Sequence, residues 1–132
     1  MKKFDGLIVF FLLLTVVLPQ AGIAQKAYVT TKYQGTVNKL TVIFNLANGY
    51  VPGNEIKLFN KTSRKTIRFL PENDAVDETR PTKFYHYSPL GKKFTDYFFV
   101  DSLKENFETM PSNIIALYYN KARPVRFILN KK

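Results

Sequence analysis

The sequence has no cysteine, a single histidine, His86, and half as many acidic as basic residues, 10 against 20, in a chain of 132. The absence of cysteine excludes a disulfide framework, a thiolate metal site, a cysteine nucleophile and a lipidated cysteine. One histidine is too few for zinc, which takes three or four His or Cys ligands. Long apolar runs are scarce too: the single example, Gly6 to Leu18, stops at about 13 residues, where a membrane-spanning helix needs roughly 20. Internal repeats and low-complexity tracts are missing. So are Gly-x-Ser-x-Gly and Ser-x-x-Lys, the spacings that seat a catalytic serine.

What is present excludes a disordered chain. Hydrophobic residues make up 45% of the sequence and aromatic residues 15%, too much apolar material to stay a solvated coil. The length supports one domain.

The N-terminus reads as a secretory signal peptide: Lys2 and Lys3 precede the apolar run, Pro19 and Gln20 break it, and Gly22 and Ala24 supply small residues before a cut between Ala24 and Gln25. Residues 1–24 are then the signal peptide and 25–132 the folded domain, which keeps 18 basic and 9 acidic residues, a balance of +9. Localisation is expected to be secreted or periplasmic. A cysteine-free exported domain suits a bacterial envelope better than an animal extracellular fluid, where small domains tend to be stapled by disulfides. The sequon Asn60-Lys61-Thr62 would matter only in a eukaryotic secretory route.

From Lys26 onward the apolar residues recur with a period of two, which predicts strands. Leu40, Val42, Phe44 and Leu46 alternate with polar or outward positions, and Asn48 to Asn54 is turn-rich. Further strands are expected at Ala27–Tyr33, Glu55–Asn60, Lys65–Leu70, Lys83–Tyr87, Phe94–Val100, Asn113–Tyr119 and Val125–Leu129, with Pro124 standing where a missing N–H does least harm. Pro71 to Pro81 reads as a surface loop. Ser102 to Glu108, capped by Asp101 and stopped by Pro111, is the one helical candidate. About eight short strands with regular turn signals predict an all-β domain, a single small β-sandwich of immunoglobulin-like or jelly-roll-like form.

Chemistry-bearing residues are few. His86 lies among Phe84, Tyr85 and Tyr87 with no second base, and is expected to share the face of Phe84 as a strand residue; catalysis, a metal and a cofactor are not expected. Glu72, Asp74, Asp77 and Glu78 lack the spacing of an EF-hand and read as a solvated loop. Lys57, Lys61, Arg64, Lys65 and Arg68 fall on one hairpin and form the candidate anion-binding set. The rings between 84 and 99 take both parities: Phe84, Phe94 and Phe98 on one, Tyr85, Tyr87, Tyr97 and Phe99 on the other. The second set is the candidate partner-binding face, exposed or covered by a loop.

These features predict a non-enzymatic exported module that docks another envelope or surface protein through an edge strand or its Tyr-rich face. The alternative is an anionic glycan or lipid surface bound through the basic hairpin at 57–68. A hydrolase resting on His86 is a third and weaker reading, and nucleic acid is not expected of an exported chain without an aromatic-basic strand motif.

Overall fold

The computed structural model describes residues 28–91, 94–121 and 123–132. The signal-peptide expectation for residues 1–24, with its cut between Ala24 and Gln25, lies outside the described residues. Eight antiparallel strands follow one another: β1 (Val29–Val37), β2 (Leu40–Asn48), β3 (Glu55–Phe59), β4 (Thr66–Pro71), β5 (Thr82–His86), β6 (Tyr97–Val100), β7 (Asn113–Asn120) and β8 (Arg123–Lys131). Each pairs with its neighbours in sequence, and β1 pairs with β8 to close a single barrel.

The expected sandwich is therefore replaced by a closed up-and-down barrel. Both architectures require one dry face per strand, so alternation is common to them; what separates them is whether the first and last strands meet. Here they meet at Tyr33–Lys131 and Gln34–Asn130. Gly35 makes the approach feasible, because a Cβ at this position would stand 2.5 Å from the carbonyl oxygen of Ile128 and 3.2 Å from the ring of Phe127.

An eight-stranded barrel encloses just enough space for side chains to fill. Tyr33, Phe44, Phe69, Phe84 and Phe98 are fully buried and occupy it, together with Val42, Leu46, Ile56, Val100 and Leu129. The rings meet largely edge to face: Phe69 on Phe98 at 4.7 Å and 89°, Phe44 on Phe84 at 5.6 Å and 80°. This geometry sets the positive ring edge against the negative face, and each such pair adds about 0.5–1.5 kcal/mol beyond area burial.

One end of the barrel is closed by the β6–β7 connection, where Leu103 is buried and Phe107 and Met110 pack on the core. This is the segment expected to be helical, and no α-helix forms among the described residues. Leu103 and Phe107 do point inward, as their spacing implied. Ser102, however, sits at φ 56°, in the left-handed region, and the Asp101 carboxylate accepts the N–H of Ser102 itself. The Asn48 side chain then takes both backbone groups of Phe107, accepting its N–H at 2.7 Å and donating to its C=O at 3.0 Å. These long-range bonds replace the helical ones. Tyr33 extends the same closure, donating its hydroxyl to the Pro111 carbonyl at 2.7 Å.

Candidate functional site

With the interior filled, the side chains available to a partner lie on the outer wall. Directly paired residues share a face, and the register places Leu70, Tyr85, Tyr97, Tyr119 and Pro124 in one outward row across β4 to β8. The next row is Lys83, Phe99, Leu117 and Arg126. Tyr97 stacks on Tyr119 at 4.8 Å and 13°, while Phe99 meets both edge-on at 5.6 and 5.5 Å. The ammonium of Lys83 stands 4.6 Å from the Tyr85 ring, 4.3 Å from Tyr97 and 5.9 Å from Phe99. Attraction between a cation and a ring face is worth about 0.5–1 kcal/mol at an exposed site, so three rings hold this charge in one place.

Of the four residues expected to bind a partner, Tyr85, Tyr97 and Phe99 come together here. Tyr87 lies on the same wall one row nearer the β5–β6 connection, where the guanidinium of Arg68 stands 5.3 Å from its ring. Tyr85 and Tyr87 are exposed, and Tyr97, Phe99 and Tyr119 are half-buried, mainly against one another. Sequence parity found this face. It missed Lys83, Leu117 and Arg126 as members, because cross-strand register joins residues far apart in the chain; Lys83 shares parity with Tyr85, a signal that was available.

Two depressions flank the rows. One, of about 290 Å³, is bounded by Glu72, Ala75, Asp77, Arg80, Lys83 and Phe99. The other, of about 330 Å³, includes Pro81, Phe99, Asp101, Ile115, Leu117 and Arg126. The 72–81 connection therefore borders the aromatic wall without covering it. Glu72 accepts the Tyr85 hydroxyl at 3.0 Å. Asp77 is held below the usual carboxylate range by side-chain and backbone hydrogen bonds from Thr79, with Arg80 beside it. Among the described residues no three His, Asp or Glu side chains gather where a metal ion could be held.

The basic hairpin divides. Lys57 and Arg68 are paired across the β3–β4 ladder and both engage Glu55, Lys57 at 3.4 Å and Arg68 through Nε at 2.7 Å. Lys61, Arg64 and Lys65 stay exposed in the connection, whose fold is fixed by the Asn60 side chain accepting the N–H groups of Thr62 and Ser63.

His86 faces inward with Phe84, as expected. Its Nδ1 donates to Asp96 at 3.1 Å, and Tyr118 donates its hydroxyl to the other Asp96 oxygen at 3.1 Å. Burial and then the Asp96 charge push the Tyr118 hydroxyl well above the ordinary phenol range. The His86 ring is stacked between Phe94 at 3.9 Å and Phe69 at 5.1 Å. This cluster pins the β5–β6 connection to the barrel. Asp96 is the partner that linear spacing did not reveal, and among the described residues no serine joins the network.

Fold and surface together define an eight-stranded up-and-down barrel with a filled interior and an aromatic outer wall. Comparison with known protein families, curated proteins and solved structures finds no match to this chain.

Proposed function

We propose that the protein is an exported, non-enzymatic docking module whose aromatic wall binds another protein of the cell envelope or surface. The observation that carries this reading is the row Tyr85–Tyr97–Tyr119, with Phe99 and Lys83 beside it, outside a barrel that has no need of those rings for its core. Tyr and Arg are enriched at binding hot spots because they offer large, stiff area with a polar end. Residue types support a non-enzymatic role: a lone histidine bound to a carboxylate and walled by phenylalanines is organised as a structural tie. Docking by an edge strand is not carried forward, because β1 and β8, the strands that would be edges in an open sheet, pair with each other.

A photo-crosslinking residue placed at Tyr97 is expected to capture one partner species from envelope extract, and the same residue at Thr36, an exposed position on β1 three strands away around the barrel, is expected to capture none. Tyr85→Ala with Tyr97→Ala is expected to abolish capture by the same residue placed at Tyr119 while leaving the melting temperature within a few degrees. A folded double variant that still yields the same adduct would refute the wall as the docking surface.

A further inference from the structure

The barrel is electrically uneven along its axis. In an up-and-down barrel the β1–β2, β3–β4, β5–β6 and β7–β8 connections all emerge at one end, and the other three connections at the opposite end. Among the described residues the first end carries Lys39, Lys61, Arg64, Lys65, Lys121 and Arg123, drawn from three separate turns. Its one carboxylate among the described residues is Asp96, already occupied by His86 and Tyr118. Glu72, Asp74, Asp77, Glu78, Asp101, Glu105 and Glu108 all sit in connections at the opposite end.

Two further observations bear on this basic end. Lys39, Arg64 and Lys121 lie at φ 63°, 56° and 50°, backbone positions where Gly or Asn fits with less strain; each turn thus keeps a cation where a neutral residue would be easier to accommodate. Among the described residues, the fourth connection exposes two apolar side chains: Leu90 is 80% exposed and Phe94 43%. A lone exposed Leu is ordinary. Exposed apolar side chains ringed by cations are what an anionic membrane interface accommodates, since the headgroups take the charges and the upper acyl region takes the apolar groups.

We infer that this end of the barrel docks on an anionic lipid surface, with Leu90 and Phe94 entering the interface and the six cations resting on headgroups. An acidic polysaccharide would engage the cations and leave Leu90 and Phe94 in water, so the apolar pair decides for lipid. The membrane surface and the aromatic wall are different faces, and either can fail without the other.

The chain has no cysteine, so a single environment-sensitive dye can be placed at will. On Leu90→Cys the emission is expected to shift to the blue with vesicles containing phosphatidylserine and to stay unchanged with pure phosphatidylcholine; on Asp74→Cys, at the opposite end, it is expected to stay unchanged with both. This local readout separates the barrel end from any contact made by the apolar N-terminal run. Replacing Lys61, Arg64, Lys65, Lys121 and Arg123 by Gln is expected to weaken vesicle binding by roughly fivefold per charge removed. The inference is overturned by no shift at position 90 with anionic vesicles, by an equal shift at position 74, or by undiminished binding of the five-Gln variant. Tight heparin binding that the five-Gln variant loses, with the dye at position 90 remaining in water on vesicles, would assign the cations to a glycan and overturn it as well.

Discussion

Substitution of Gly35 by Ala tests barrel closure through the sign of its effect. In a strand interior Gly is less stable than Ala by roughly 0.5–1 kcal/mol, because it loses more backbone freedom on folding. In an open sheet at this position Ala would therefore stabilise. In the closed barrel the added Cβ meets the Ile128 carbonyl oxygen at 2.5 Å, about 0.9 Å inside the 3.4 Å at which ordinary contact begins. The obstructing atom is backbone, so relief requires β1 and β8 to separate at the seam, which two register pairs and the bond from the Lys132 N–H to the Lys32 carbonyl hold. Overpacking of this kind costs about 1–3 kcal/mol, and the net expectation is a loss of about 1–2 kcal/mol, with a larger loss for Gly35→Val. Urea denaturation gives the free energy, and for a domain of this size the melting temperature falls by roughly 4–8 °C per kcal/mol. Amide exchange at Gln34 and at Lys132, whose N–H reaches the Lys32 carbonyl across the seam, is expected to accelerate more than exchange at Ile43, in the β2–β3 ladder. A Gly35→Ala protein that is more stable than the parent, with protection at the seam intact, would refute closure at this point.

Two other outcomes follow from single contacts. The buried Asn54 side chain accepts the N–H of Ala47 at 2.7 Å, so Asn54→Ala leaves a buried donor unsatisfied and is expected to cost about 1–3 kcal/mol in urea denaturation, while dye shifts at position 90 on anionic vesicles persist. Tyr33 and Tyr118 have hydroxyl pKa values raised by burial, Tyr118 also by Asp96. The folded state holds these protons longer than the unfolded chain, so their contribution is complete below the ordinary phenol value near 10 and is lost progressively as the pH rises above it. Stability measured in urea above that pH is expected to fall more steeply in the parent than in Tyr118→Phe; equal slopes would refute the assignment.

Strand content was legible residue by residue. Leu40, Val42, Phe44 and Leu46 alternate and do face inward, and the parity that separated Phe84 and Phe98 from Tyr85, Tyr97 and Phe99 is the parity of inside and outside. Closure was not legible, because the Tyr33–Lys131 pair joins opposite ends of the chain and leaves no local pattern; Gly35 alone reads as an ordinary strand glycine. The helix expected at Ser102–Glu108 failed for the same kind of reason. Leu103 and Phe107 have helical spacing, but Asn48, far away in sequence, takes the backbone bonds of Phe107. Of the candidate site, the tyrosines were found and the charge between them was not. Lys57 and Arg68 looked free until β3–β4 pairing set them side by side over the Glu55 carboxylate.

Neighbour-to-neighbour pairing also orders assembly in time. Every ladder from β1–β2 through β7–β8 joins strands consecutive in sequence, so a nascent chain can zip each hairpin soon after its second strand emerges, at small loop-closure cost. The rung between Tyr33 and Lys131 has to wait for the end of β8. Until then a curled ribbon carries Phe44, Phe84 and Phe98 on a side still open to solvent, which makes this last step the moment when a holding chaperone would matter most.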